Sequence, residues 1–150
     1  MAAVVEKLLL GSQTSLLTTG LNSLANNSLA VSSAFDNTIG QTGDGYVLCD
    51  LELVVTFGTN PTAGTGIAVW FLQTQDGTNY EDGDASTTPA RAPDAVIPVR
   101  ASTSAQRIIV KHVDMPPGLF KALLKNDGTG QAFAASGNTL KIRPYTREGV

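Results

Sequence analysis

Two stretches in the middle of the chain decide its fold: Tyr46–Phe57 (YVLCDLELVVTF) and Ile67–Leu72 (IAVWFL). In the first stretch, apolar residues occupy every odd-numbered position, while Asp50, Glu52 and Thr56 occupy even-numbered positions. This alternation predicts a strand with one buried face and one solvated face. The second stretch is apolar throughout, which predicts a strand covered on both faces. The intervening GTNPTAGTG is typical of a turn, so we predict that the two strands form a long hairpin-like pair.

Further strand patterns, separated by turn residues, lie on both sides of this pair. They are Thr14–Thr18, Ser28–Ala34, Ala95–Ala101, Gln106–Val113, Gly118–Asn126 and Thr139–Tyr145. Pro98 restricts its strand to a sheet edge or a bulge. We expect at most a short helical turn, near Leu21–Asn27 or Pro117–Leu124. The chain is therefore predicted to be an all-β protein, a jelly-roll or β-sandwich of about eight strands.

Composition and charge agree with a single turn-rich domain. The chain has 150 residues, of which 15% are charged and 15 are glycine, and this favours many short strands over long helices. Residues 1–90 carry nine acidic residues and one basic residue, whereas residues 91–150 carry nine basic and four acidic residues. The fold either interleaves these halves in space or presents a surface with one acidic and one basic side, which would orient the docking of other copies or partners. Basic residues do not cluster with aromatic ones, so nucleic acid is not an expected partner.

The sequence also bears on redox chemistry and on membranes. The single cysteine, Cys49, lies on the apolar face of the first strand, which predicts a buried and unreactive thiol. No apolar run reaches the length of a membrane span. The short apolar run Val4–Leu10 contains Glu6 and Lys7 and lacks a signal-peptide cleavage site. We therefore expect synthesis in the cytoplasm and no association with a membrane.

One long irregular segment, Gln73–Asp94, carries a cluster of carboxylates. Its acidic residues include Asp76, Glu81, Asp82 and Asp84. A glycine-rich acidic loop can offer oxygen ligands to calcium, but the spacing here differs from that of an EF-hand. Nothing near Asp82 and Asp84 indicates the sugar-binding cleft that a pair of hydrolytic carboxylates would need. A solvated loop is the favoured interpretation.

Other residue types with chemical potential are better explained as structural. His112 lies two residues before Asp114, but the G-x-S-x-G elbow of a serine hydrolase does not occur. Trp70 and Tyr80 would suit stacking on sugars if they were exposed, yet Trp70 lies inside an apolar run, which favours the core. We therefore predict no catalytic, cofactor-binding or metal-binding residues and no enzymatic activity.

The first residues form an apolar segment, MAAVVEKLLL, that is followed by Gly11. We predict an N-terminal arm over residues 1–13 and one sandwich domain over residues 14–150. Five apolar side chains would make an exposed patch on a free monomer, namely those of Val4, Val5, Leu8, Leu9 and Leu10. The arm either contacts a neighbouring molecule, for example by adding a strand to its sheet edge, or is the first strand of its own sandwich.

Several turn-rich phrases occur together after Thr14. They are LNSLANN at 21–27, DGTNY at 76–80, PPG at 116–118, NDGTGQAF at 126–133 and SGNTLK at 136–141. In this combination the chain resembles small virion structural proteins encoded in the head-gene regions of tailed bacteriophages. Some of these are capsid cement (decoration) proteins with a jelly-roll fold, which bind the outer face of the shell and tie capsomers together.

The resemblance implies partners and a location. The expected partners are the major capsid protein and copies of the chain itself, as a dimer or trimer on a local symmetry axis. The expected location is the capsid exterior of a virion, after synthesis in the host cytoplasm. The alternative is a carbohydrate- or receptor-binding β-sandwich module of a phage tail. Exposed aromatics on a concave face would favour the alternative, whereas a buried Trp70 and an interface around the N-terminal arm would favour cement.

Overall fold

The computed structural model describes residues 5–39 and 45–149, which form an all-β protein. These residues contain nine strands and one short 3₁₀ turn at Thr19–Leu21. The strands are β1 (Glu6–Leu10), β2 (Thr14–Leu17), β3 (Leu29–Asn37), β4 (Leu48–Val55), β5 (Gly66–Gln73), β6 (Ala95–Pro98), β7 (Gln106–Asp114), β8 (Gly118–Lys125) and β9 (Thr139–Gly149). The predicted all-β class is confirmed. Nothing in the described ranges is a helix long and apolar enough to cross a membrane.

The strands form two antiparallel sheets that pack face to face. In sheet A the order is β1-β9-β4-β7, with β2 pairing to β9 on the same side as β1, and in sheet B it is β3-β8-β5-β6. Without β1, the two sheets contain the orders β2-β9-β4-β7 and β3-β8-β5-β6, which is the eight-stranded double-sheet arrangement of a jelly roll. The predicted sandwich is thus confirmed, with β1 added at one edge.

Strand β4 has the face pattern that its sequence predicts. Cys49, Leu51, Leu53 and Val55 are fully buried between the sheets, while the intervening residues of the strand are only partly covered. Side chains alternate between the two faces of a strand, so four consecutive odd positions contribute to one core. Val47 departs from the pattern, because it precedes the strand and its side chain is exposed.

The predicted hairpin-like pairing of the two central stretches is wrong. β4 pairs with β7 and β9 in sheet A, whereas β5 pairs with β6 and β8 in sheet B. The turn between them carries the chain from one sheet to the other. β5 is nevertheless buried on both faces, as predicted, because Trp70 and Leu72 on its outer face form a second apolar cluster with Ala68 and Leu123.

The ends of several strands differ from the sequence pattern. β6 is an edge strand that ends at Pro98, in agreement with the restriction that proline imposes. β9 continues to Gly149, four residues beyond the predicted end at Tyr145. The extra residues remain in strand conformation because β1 pairs with them. This extension carries β9 beyond its last partner residue in β4.

Candidate functional site

A two-stranded ribbon extends from one end of sheet A. The pairing of β9 with β4 ends where Tyr145 meets Leu48. Among the described strands, β9 pairs past Tyr145 with β1 alone, from Leu9 opposite Thr146 to Glu6 opposite Gly149, and Leu10 opposite Tyr145 forms the base of this segment. We call Glu6–Leu10 together with 146–149 the ribbon. It lies past the last β4 pair, so the rest of sheet A does not flank it.

The ribbon exposes apolar side chains on both of its faces. Leu8 and Leu10 share one face and are 56% and 52% exposed, while Leu9 lies on the opposite face and is 42% exposed. Val5, just before β1, is exposed as well, and Val4 lies outside the described residues. The backbone of the predicted arm therefore pairs with its own chain, while its leucine side chains contact solvent in the monomer.

The ribbon is joined to the sandwich through Gly11. The Gly11 N–H donates a hydrogen bond to the Pro144 carbonyl at 2.8 Å, so β1 and β2 follow the same side of β9 in succession. A Cβ atom at Gly11 would lie 2.9 Å from Cγ of Pro144 and 3.0 Å from the ring of Tyr46. These contacts are too close for a larger residue without local movement. Glycine thus allows the close approach of Pro144 and Tyr46 at the point where the ribbon joins the domain.

The carboxylates of the long loop hold turns together. Oδ1 of Asp76 accepts hydrogen bonds from the N–H groups of Thr78 (2.8 Å) and Asn79 (2.7 Å), and these bonds hold the pKa of Asp76 well below its usual range. Asp84 accepts comparable bonds from Ser86 and Thr87, which also lower its pKa. Among the described residues no cluster of His, Cys, Asp and Glu has the arrangement of a metal site.

Arg91 connects the loop to the edge of sheet B. Its guanidinium binds both carboxylate oxygens of Glu81, one oxygen of Asp94 (3.0 Å) and the carbonyl of Phe71 (2.9 Å). Asp94 in turn accepts the N–H of Phe71 at 2.7 Å. β6 pairs with β5 only as far as Val69. Beyond that point the side chains of Asp94 and Arg91 bind the N–H and the carbonyl of Phe71, as a neighbouring strand would. The hydrogen bonds that Arg91 donates to the Glu81 carboxylate are the largest cause of its raised pKa.

A cleft of about 750 Å³ lies between this network and the end of β7. Its lining combines apolar residues with carboxylates: Phe71, Tyr80, Met115 and Pro116 with Asp76, Glu81, Asp94 and Asp114. The ammonium group of Lys121 lies 4.3 Å from the centre of the Tyr80 ring and covers one of its faces. Trp70 is only 4% exposed and donates its indole N–H to the Arg91 carbonyl, so it cannot serve as a stacking platform.

His112 lies in a bulge of β7 and contacts structural partners. Its φ angle is 59°, its N–H donates to Oδ1 of Asp50 at 3.1 Å, and its ring meets that of Tyr145 edge-on at 5.9 Å. The register of β7 against β4 shifts at this point, which accounts for the bulge. Asp114, at the end of the same strand, instead lines the cleft.

Cys49 should be inert in the folded protein. Burial raises the pKa of its thiol to about 12, and the thiol donates to the Val113 carbonyl at 3.6 Å. Because the thiolate is the reactive form, we expect a thiol-specific reagent at neutral pH to label the native protein very slowly and the denatured protein rapidly. Mass spectrometry of both samples measures this. Rapid labelling of the native protein would contradict the burial of Cys49.

No protein-family model matches the chain, and no curated protein matches it significantly. Two features remain on which a function can be argued, the ribbon and the cleft. The sequence identified the apolar residues of the ribbon but not the cleft, because its walls come from segments that are distant along the chain.

Proposed function

We propose that this protein is a structural virion protein, a capsid cement (decoration) protein that binds the outer face of a bacteriophage head and stabilises the shell. The observation that carries the proposal is the ribbon, in which Leu8, Leu9 and Leu10 are exposed on a structure anchored in a packed sandwich. The turn-rich phrases that resemble virion proteins point to the same role. The proposed partners are the major capsid protein and further copies of the chain.

The ribbon has two properties that suit a protein-protein contact. Burial of apolar surface contributes roughly 25 cal/mol per Å², so covering three exposed leucines favours association. β1 is also the outer strand of sheet A, and within the described ranges no strand pairs with its second edge. Such an edge presents backbone N–H and C=O groups that can pair with a strand of another protein. A shell subunit that offers a strand and an apolar surface would satisfy both.

The environment of the aromatic residues favours cement over a sugar-binding tail module. A sugar-binding surface needs exposed aromatic faces, but Trp70 is covered by the long loop and Tyr80 is partly covered by Lys121. The absence of enzymatic activity stays a prediction from the sequence. Electron cryomicroscopy of intact particles from the same source would test location and copy number directly. Density for the jelly roll at a tail tip would contradict the proposal.

Replacing Leu8 and Leu10 together by serine should reduce shell binding at least about tenfold, because central apolar contacts dominate binding energy. Co-sedimentation with undecorated shells of the matching capsid protein measures the effect. Val96→Ser is a matched control, since Val96 is 54% exposed but lies on β6. All variants should melt close to the parent temperature. A double variant that binds shells as tightly as Val96→Ser would contradict the proposed role of the ribbon.

A further inference from the structure

The ribbon and the cleft lie at the same end of sheet A but at opposite edges. Leu10 of β1 pairs with Tyr145, Tyr145 pairs with Leu48, and Leu48 pairs with Asp114 of β7. This row crosses four of the five strands of sheet A, from the base of the ribbon to the rim of the cleft. Three strand spacings separate its ends, which amounts to about 14 Å.

The two faces of the ribbon constrain the shape of its partner. Leu8 and Leu10 lie on one face and Leu9 on the other, and all three are exposed. A flat surface would cover only one of these faces and leave the other in water. A concave surface covers both, so the ribbon fits a cleft better than a plane.

The cleft of this protein presents an apolar wall and a carboxylate without an ion-pair partner among the described residues, which the ribbon can meet with apolar side chains and a cation. Met115 and Pro116 give it an apolar wall, and its lining contains four carboxylates against the single guanidinium of Arg91. Arg91 already pairs with Glu81 and Asp94, whereas Asp114 is exposed and forms no ion pair with any described residue. On the ribbon, Arg147 is exposed opposite Leu8 and likewise has no ion-pair partner in the described part of the chain. An unpaired cation beside apolar residues thus matches an unpaired carboxylate beside an apolar wall.

We propose that the ribbon of one copy inserts into the cleft of a second copy, with Leu8 near the Met115–Pro116 wall and Arg147 near Asp114. The proposal rests on the proposed function only in taking the ribbon as an interaction site, and it concerns the protein in solution, where no shell covers the ribbon. Each copy inserts its ribbon at one edge of sheet A and receives the ribbon of another copy in the cleft at the opposite edge. The contact is therefore head to tail. Contacts of this kind close into rings when the rotation between copies permits.

A charge exchange tests the pairing in the full chain without shells. Arg147→Glu and Asp114→Lys should each weaken self-association at least about tenfold, because each places like charges together. The double variant Arg147→Glu/Asp114→Lys should recover much of the loss, since it restores opposite charges. Sedimentation velocity over a concentration series measures all four proteins. A wild-type protein that stays monomeric throughout, or a double variant that recovers nothing, would overturn the proposal.

A mixing experiment separates a head-to-tail contact from a symmetric one. Leu8→Asp damages the ribbon and leaves the cleft, whereas Asp114→Lys damages the cleft and leaves the ribbon. Each variant alone should be monomeric, and an equal mixture should form a one-to-one dimer that grows no further. A mixture that stays monomeric would overturn the proposal, because a ribbon-to-ribbon contact needs two intact ribbons.

Two controls complete the mixing experiment. Val96→Asp places the same charge at a similarly exposed site on β6 and should associate like the parent. Arg147→Glu replaces Leu8→Asp if the latter melts early. Shell binding is a separate measurement. A monomeric wild-type protein that still decorates shells would overturn only the self-association, and an associating protein that ignores shells would overturn only the cement role.

Discussion

Leu53→Ala is expected to lower the free energy of unfolding by about 2–5 kcal/mol. Leu53 is fully buried in the middle of β4, between Ile108 of β7 and Leu140 of β9, and belongs to the core between the two sheets. Truncation removes apolar contacts and leaves a cavity that strands paired on both sides cannot easily close. Urea unfolding followed by circular dichroism measures the change. Leu51→Ala should behave in the same way, because Leu51 faces the same core.

Ile109→Ala is the matched control for this prediction. Ile109 pairs with Glu52 of β4 in the same sheet, but it lies on the outer face and is 51% exposed. We expect its truncation to change the free energy of unfolding by no more than about 0.5 kcal/mol. Equal losses for Leu53→Ala and Ile109→Ala would mean that the assignment of buried and exposed faces in sheet A is wrong.

The alternation in β4 predicted which of its residues are buried but not which strands are its partners. A period of two defines the face of a strand, and the same pattern fits either sheet of a sandwich. Pairing with β7 and β9 depends on segments that are distant from β4 along the chain. For the same reason, the sequence could show that β5 is covered on both faces without showing that the long loop provides the cover.

The ribbon was only half predictable. The apolar segment before Gly11 indicated an interaction site, but the residues that pair with it, TREG at 146–149, are polar and have no strand pattern. They stay in the sheet because β1 extends the pairing of β9. One indication of the role of Arg91 is present in the sequence, because Arg91 is the only basic residue in the acidic segment Gln73–Asp94. Its contacts with Phe71 and Glu81 required the folded loop.

The charge asymmetry of the sequence is resolved differently on the two sides of the sandwich. On sheet A the halves interleave, since Glu52 lies 2.9 Å from Arg107 and pairs in register with Lys141. On sheet B the acidic segment stays together in the loop, with Arg91 as its internal counter-charge. Interleaving of the two halves therefore occurs on sheet A, whereas the role of an oppositely charged surface in docking stays a prediction. The long loop provides three of the four carboxylates that line the cleft, those of Asp76, Glu81 and Asp94.

Asn126→Ala should lower the free energy of unfolding by about 3 kcal/mol, because it leaves buried polar groups without partners. Asn126 is fully buried, and its amide donates to the carbonyls of Leu24 (3.1 Å) and Gln131 (2.8 Å) while its Oδ1 accepts the Thr129 hydroxyl (2.6 Å). One side chain thus joins the turn before β3 to the turn after β8. The sequence showed only Asn-Asp-Gly, a hairpin signal, because the contact with Leu24 spans 102 positions.

Thermal and urea unfolding of Asn126→Ala, beside Asn60→Ala, test this prediction. Asn60 is exposed in the turn after β4, so its truncation should change stability by less than about 0.5 kcal/mol. Thr129→Ala removes one member of the same network, and the double variant with Asn126→Ala should lose less than the sum of the two single losses, since both changes break the shared hydrogen bond. Strict additivity, or an Asn126→Ala protein as stable as Asn60→Ala, would show that the buried amide does not hold these turns together.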